Sequence, residues 1–483
     1  MQEAVAEDPR PAPAPKAWWT AIPEPRGLAE DRLAIDDQTA RDLEIFTARG
    51  AGYSVQGLLS LTKTAGGAAV LSARMTEPWS SADRIREVQA SIRYIIAHRA
   101  AFNCLPSEIV AHGASEYLFG GLPVEYSTNP LVVLIDALSI RFGESRHYTL
   151  ITQGVIRATR MIHGLRRILD TSSLPSPIPG EIGGLLEEMR GLLAREAFES
   201  LPSVDSWDLP FYTIFTLDRN YRGQEEEALR RLLRLSYRVD ALVAMADATT
   251  LYGMVIPEVL DGPATLEADG LFNLFVSHPV PASIHLGQEH HMLFVTGPNM
   301  AGKSTFLRSL GVALYLAHLG MGVPAASFRF TPCQSLFAAL NISDDIHAGV
   351  SFFRTEAMRM KAVAEAMNAG RRIVALVDEP FKGTNIKDAM DASWLVLEAF
   401  AGAGDGLFAV SSHLIELGAA LLATDRVICC RFEAVECKES LEFDFILRDG
   451  ISSQRLGMRV LEQEGLVALL RGRSVKPGQT GTR

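Results

Sequence analysis

Cysteine is scarce in this chain: five among 483 residues, Cys104, Cys333, Cys429, Cys430 and Cys437. Their number is odd and their spacing fits no zinc pattern, which argues against a disulfide scaffold and for reduced thiols in core and strand packing. No apolar run approaches the ~18 residues of a membrane span, so no membrane association is expected. The N-terminus lacks a charged-then-apolar export pattern. An excess of positive charge is also missing, since 46 Lys and Arg face 57 Asp and Glu, giving a net charge of −11. Polyphosphate partners favour basic proteins, so any contact with DNA is expected from local patches rather than from the whole surface. What remains is a globular chain with 48% hydrophobic and 21% charged residues, long enough for two or three domains. The cytoplasm, or the nucleoid within it, is the expected location.

One segment stands out. Gly297, Pro298, Asn299, Met300, Ala301, Gly302, Lys303, Ser304 and Thr305 spell G-x-x-x-x-G-K-[ST], preceded by the apolar run Met292 to Val295 and followed by a helical pattern to His318. Strand, loop and helix in that order are the context in which this motif binds nucleotide phosphates. The loop N–H groups and the helix N-terminus favour an anion. Lys303 is expected at the β- and γ-phosphates and the Ser304 hydroxyl on Mg²⁺. ATP and Mg²⁺ are therefore the expected ligands.

A second run, Arg371 to Glu379, is nearly continuous in apolar residues until it ends in Asp378 and Glu379. A parallel strand covered on both faces has that composition. Asp378 is expected to support Mg²⁺, and Glu379 to orient and polarise the attacking water. A third apolar run, Leu407 to Ser412, ends in His413, a placement that resembles the γ-phosphate sensor of related ATPases.

These motifs and the residues between them resemble the MutS family of DNA mismatch-repair ATPases. The resemblance is carried by Gly297 to Ala326, by Asn341 to Ile346 with its Asp344-Asp345 pair, by Gly349 to Glu356, by Asp378 to Asn385 followed by Asp388, and by Phe445 to Ser453. Phe352 stands where the family usually has Thr, and Ser277 where it usually has Arg before His278-Pro279. The resemblance implies a composite ATPase in which two subunits, identical or paralogous, face each other head to tail. Ser351 would then complete the site of the partner in trans, Asn299 would lie near the γ-phosphate, and Asp388 would lie at the dimer face. The Leu-Ser-Gly-Gly-Gln signature of ABC transporters is absent, which agrees with Ser351 doing the equivalent work.

The expected architecture is multidomain, a mostly α-helical core and lever domain followed by an α/β P-loop ATPase domain of ABC/MutS type. Residues 1–26 alternate Pro with Ala and Glu and are expected to be a disordered tail, with Trp18 and Trp19 inside it. Residues 27–255 carry helical spacing and resemble the family's core at Leu43 to Phe46, Leu61 to Gly67, Met75 to Pro78 and Ile85 to Val88. Residues 256–473 form the ATPase domain and 474–483 a second tail. Because the core-like stretch starts so early, the family's N-terminal mismatch-binding and connector domains are expected to be missing, the clamp reduced or absent, and Phe142-Gly143-Glu144 a chance match to the mismatch wedge.

Two rows of arginines could contact phosphates without reading sequence. Arg157, Arg160, Arg166 and Arg167, with His163, share one helix face; Arg230, Arg231, Arg234 and Arg238 share another. Their alternative use is pairing with neighbouring acids such as Glu225, Glu226 and Glu227. The functional expectation is an ATP-dependent, dimeric clamp on double-stranded or branched DNA, acting in mismatch repair or on recombination intermediates, with a downstream repair protein as a further partner. The alternative is an ATP-switched scaffold that binds a protein instead of DNA.

Overall fold

The three apolar runs lie side by side as neighbouring strands of one sheet in the computed structural model of the chain. The structure describes residues 31–48, 52–121, 145–170, 174–204, 209–341, 352–421, 424–436, 441–452, 454, 461–462 and 465–470. Both tails, Trp18 and Trp19, Phe142-Gly143-Glu144, Cys437, the Asp344-Asp345 pair and Ser351 fall outside these residues.

The strands in chain order are β1 (Ala34–Ile35), β2 (Glu258–Val259), β3 (Leu266–Leu271), β4 (Ala282–Leu286), β5 (Met292–Thr296), β6 (Ser327–Phe330), β7 (Ser335–Ala339), β8 (Ile373–Asp378), β9 (Gly406–Ser411), β10 (Val427–Arg431), β11 (Ala434–Glu436), β12 (Leu441–Phe443) and β13 (Arg448–Asp449). Seven of them form a sheet in the order β1-β7-β8-β9-β5-β10-β13, parallel throughout except for β13. All of β5 and β9 is buried, and all of β8 except Asp378. Side chains covered on both faces must be apolar throughout, and this produces unbroken runs rather than alternation. Helices Lys303–His318, Phe352–Asn368, Ile386–Ala401 and Ile415–Leu421 connect the parallel strands. Met292, Phe294, Ala375, Val377, Phe408 and Val410 belong to one core cluster, in which Phe400 stacks on Phe408 at 4.3 Å between ring centroids. A four-stranded sheet, β2-β6-β3-β4, and the hairpin β11-β12 complete the strands.

The described chain divides into two compact units that interleave along the sequence. One unit joins Glu30–Ser60, Glu77–Ile96 and Met245–Arg483. The helical stretch 27–255 therefore does not separate from the stretch 256–473 at a single point. Residues 34–35, in the region expected to be helical, form β1 and pair in parallel with Ser335 and Leu336 of β7.

The other unit holds helices Ala65–Thr76, Glu108–Phe119, Ser145–Leu169, Gly180–Leu193 and Phe211–Arg222, with helix Glu226–Leu251 up to Ala244. Asp240 caps the first of these: its carboxylate accepts from the N–H groups of Lys63 and Thr64 at 3.0 and 2.9 Å and from the Thr64 hydroxyl at 2.7 Å. Gly67 is required beside it, because a Cβ there would lie 2.2 Å from the Asp240 carboxylate. Buried charges elsewhere in this unit are paired, as burial demands. Asp218 accepts from Tyr117 and Arg222, and Glu181 lies between Arg74 and Arg238. Burial opposes ionisation of Glu181, but the two guanidinium groups hold its pKa down at about 2. Among the described residues no helix is long and apolar enough to cross a membrane.

Candidate nucleotide-binding site

The site is built at the carboxyl ends of the parallel strands, beside β5, where the connections leave in opposite directions toward β7 and β10. After Thr296 the chain turns through Gly297 (φ 149°), Met300 (φ 68°) and Gly302 (φ 102°) before entering helix Lys303–His318. At Gly297 a Cβ would lie 2.7 Å from the Phe432 carbonyl oxygen, so the close turn needs glycine. Met300 is 81% exposed at the tip of the loop.

Lys303 folds back over this loop. Its buried ammonium donates to the carbonyl oxygens of Gly297 and Pro298 at 2.9 and 3.1 Å, and lies 3.9 Å from the Glu379 carboxylate. Burial pulls the Lys303 pKa down, opposed by Glu379 and Asp378. Neutral carbonyls are weak partners for a buried cation, so an anion in the loop is favoured.

The Asp378 carboxylate, at the end of β8, accepts from the hydroxyls of Ser304 and Ser411. Parallel pairing sets Asp378 directly opposite Ser411. A hydroxyl and a carboxylate in contact supply the hard oxygen donors that Mg²⁺ prefers, and the P-loop cradle fits a triphosphate, so the residues present suit ATP with Mg²⁺.

Glu379 follows at φ 49° and Phe381 at φ 60°, left-handed conformations that non-glycine residues rarely adopt and that concentrate at functional sites. The turn is pinned by the bond from Glu379 N to Ser411 O (2.9 Å). His413 Nδ1 lies 3.7 Å from the Glu379 carboxylate. The His413 contact lowers the Glu379 pKa, burial opposes it, and Lys303 adds to the lowering. The same pair raises His413 against its own burial. Glu356, on helix Phe352–Asn368, reaches the same turn by accepting from Gly383 N at 3.4 Å. Burial raises its pKa. Asn385 caps the following helix by accepting from Asp388 N at 3.0 Å.

A cavity of about 580 Å³ lies over the loop, Asp378 and Glu379, while His413 and Ser411 stand behind Glu379 and Asp378 and do not line it. Asn299, Met300, Gly302 to Phe306, Asp378, Glu379 and Lys382 line it. Ser411, which donates to Asp378, and the apolar lining residues Val276, Val280, Phe432 and Phe445 carry no expected site role. Ser411 had a usable signal, being the strand residue two before His413. Phe445 opens the stretch Phe445 to Ser453 and Val276 precedes Ser277-His278-Pro279, both part of the resemblance but with no role attached, whereas Val280 and Phe432 lie outside those motifs.

The arginine rows have a different fate. Arg160 donates twice to the Val204 carbonyl at 3.1 and 2.9 Å, and Arg166 donates to the Phe198 carbonyl. His163 joins them on Pro202 O at 3.0 Å, and the Arg157 stem packs where Gly113 leaves room. Only Arg167 of these four arginines is exposed. In the second row Arg230 pairs with Glu226, Arg231 with Glu188, Arg234 with Glu227 and Arg238 with Glu181. Of the row expected to contact phosphates, Arg160 and Arg166 thus tie the 198–204 stretch to the helix, which leaves Arg167 as its exposed arginine.

Residues 293–470 match the sequence model of MutS domain V. The DNA mismatch repair protein MutS of Synechococcus sp. (strain CC9311) is 29% identical over 269 residues, covering 53% of this chain and 28% of that protein. The protein of the same name from Synechococcus sp. (strain JA-2-3B'a(2-13)) is 28% identical over 269 residues, 53% of this chain and 29% of that protein. The chain thus spans less than a third of the length of these curated relatives. The matched region runs from the buried strand before the phosphate loop, through the Asp378-Glu379 pair and His413, to the end of the described structure. By motif and sequence match alike, residues 293–470 are similar to domain V of the MutS proteins.

Proposed function

We propose that the chain is an ATP hydrolase that works as a dimer and couples its nucleotide state to DNA, in mismatch repair or in handling recombination intermediates. The contact between Ser304 and Asp378, with Lys303 and Glu379 converging beside it, carries the hydrolase reading. The names of the matched relatives support the DNA assignment.

In this mechanism Lys303 exchanges the carbonyls of Gly297 and Pro298 for phosphate oxygens. Ser304 and Asp378 hold the metal, whose charge when bound offsets that developing on the phosphates. Glu379, ionised because its pKa is lowered, orients a water and accepts its proton as the water oxygen bonds to the γ-phosphorus and the bond to the β–γ bridging oxygen breaks. His413, whose protonated form Glu379 favours, contacts the γ-phosphate. Ser351 of the partner subunit completes the site. Phosphoryl transfer needs little more than this positioning and charge stabilisation.

A second reading has its own observation. The arginines of the second row are paired with acids, and the net charge is −11, which favours an ATP-switched scaffold for a protein partner. Steady-state ATPase rates with and without homoduplex, mismatched and four-way-junction DNA at low salt separate the two, because phosphate contacts are strongest there. A rate that responds to one DNA form supports the clamp. Hydrolysis indifferent to every DNA supports the scaffold, and no hydrolysis at all removes both.

A further inference from the structure

The wall of the nucleotide cavity beyond β7 is held by residues from the far end of the chain. Leu340 and Asn341, just after β7, line the cavity. Helix Asp37–Asp42 grips them although Asp42 and Leu340 are 298 residues apart. The Asp42 carboxylate accepts from Leu340 N at 2.8 Å, Gln38 donates to Asn341 O at 3.4 Å, and the Thr39 hydroxyl accepts from Ala338 N at 3.0 Å. The same short helix also grips helix Phe352–Asn368. There Arg359 donates to the Thr39 hydroxyl at 2.6 Å and to Ala338 O at 2.8 Å, and pairs with Asp36. The P-loop helix enters the same knot, since Arg308 donates to the Asp42 carbonyl at 3.1 Å and pairs with Glu44 at 2.8 Å.

Thr39 and Asp42 are 0% exposed and Arg359 is 8% exposed. Buried ionic groups are a costly way to pack, and apolar side chains often do it better. A directional network fixes a geometry that apolar packing leaves looser. Here the geometry fixed is that of the cavity wall, the root of helix Phe352–Asn368 and the P-loop helix, all at once. We propose that Asp42, Thr39 and Arg359 are positioning residues for ATP hydrolysis: they hold the end of β7 and helix Phe352–Asn368 in register with the P-loop helix. This rests on the ATPase reading above.

Asp42→Ala removes the carboxylate but leaves the carbonyl that Arg308 uses. With a non-hydrolysable fluorescent ATP analogue and steady-state turnover as paired readouts, its kcat falls on the order of 10- to 100-fold, the scale of a small misplacement of reacting groups. The analogue's Kd changes by less than about 3-fold, because the P-loop contacts stay. Asp42→Asn, which keeps an acceptor for Leu340 N, restores most of the turnover and carries the test where the alanine variant does not fold. Arg359→Ala matches Asp42→Ala, and the double variant loses little more than either single one, as residues acting through one network do. An active wild type whose Asp42→Ala and Arg359→Ala variants turn over normally overturns this role alone. So does a parallel loss of turnover, affinity and melting temperature that Asp42→Asn does not relieve. A wild type that hydrolyses no ATP overturns the ATPase reading and this role with it.

Discussion

The Ser304 hydroxyl donates a hydrogen bond to the Asp378 carboxylate, 74 residues further along the chain. One arrives on the P-loop helix and the other at the end of β8, and the bond joins the two halves of the expected Mg²⁺ site. Asp378→Asn should therefore raise the Mg²⁺ concentration needed for half-maximal hydrolysis by about 10- to 100-fold, the usual cost of disturbing a metal's supporting carboxylate. A Mg²⁺ titration of the steady-state rate measures it. An unchanged midpoint would take Asp378 out of the metal site.

Glu379 sits in a left-handed conformation with its carboxylate between Lys303 and His413. Glu379→Gln keeps the shape and removes the proton acceptor. ATP binding should persist, hydrolysis should slow by about 10²- to 10⁴-fold, the range that general base catalysis contributes, and ATP-bound dimers should accumulate on size exclusion. Wild-type turnover in this variant would remove Glu379 from the mechanism.

The strands that carry these groups were legible in the sequence because burial on both faces forces unbroken apolar runs at β5, β8 and β9. The loop Gly297 to Thr305 was legible because its glycines and lysine stand at the spacing of a phosphate-binding motif between a strand and a helix. β1 was not, since two residues, Ala34 and Ile35, carry no periodicity and become a strand only by pairing with β7 three hundred residues away. The arginine rows show the other limit. Spacing of three and four established a shared helix face, but whether that face meets solvent or a neighbouring carbonyl depends on the 198–204 stretch, whose arrival no local pattern announces.

That placement makes its own prediction. Arg160 satisfies the Val204 carbonyl with two bonds, whereas Arg167 is exposed. Arg160→Ala should lower stability by about 1–3 kcal/mol, the cost of orphaning a half-buried acceptor, while Arg167→Ala should change it by less than about 0.5 kcal/mol. Urea denaturation followed by circular dichroism compares them. Equal, negligible effects would mean that the Arg160 bonds contribute nothing to the fold and would reopen that face to a ligand.

His413 gives a pH signature. Glu379 raises its pKa above the ordinary 6.5, so the protonated ring persists to higher pH in the free protein. If the imidazolium meets the γ-phosphate, kcat/KM should fall as pH rises through that raised pKa, because kcat/KM reports groups of the free enzyme. His413→Asn should flatten this limb and lower the plateau. A profile identical to wild type would place the titration elsewhere.

A second histidine should control stability rather than rate. His318, on the P-loop helix, is fully buried; its Nδ1 lies 2.8 Å from the Leu314 carbonyl, and its Nε2 accepts from Cys333 N at 3.1 Å. Only the neutral ring fits, since a proton on Nε2 would face the Cys333 N–H. Burial lowers the His318 pKa from 6.5 to about 4, opposed by the Leu314 carbonyl beside Nδ1. The unfolded chain therefore takes up this proton first as pH falls. Stability is intact above pH 6.5 and is lost between pH 6.5 and 4, by roughly 2 kcal/mol at pH 5 and roughly 3 kcal/mol in full. Denaturation of wild type and His318→Gln at matched pH isolates this share from that of the carboxylates. The difference in stability between the two should shrink from pH 7 to pH 5, because the glutamine has no proton to gain; a difference that stays constant would mean that His318 has the same pKa in the folded and the unfolded chain.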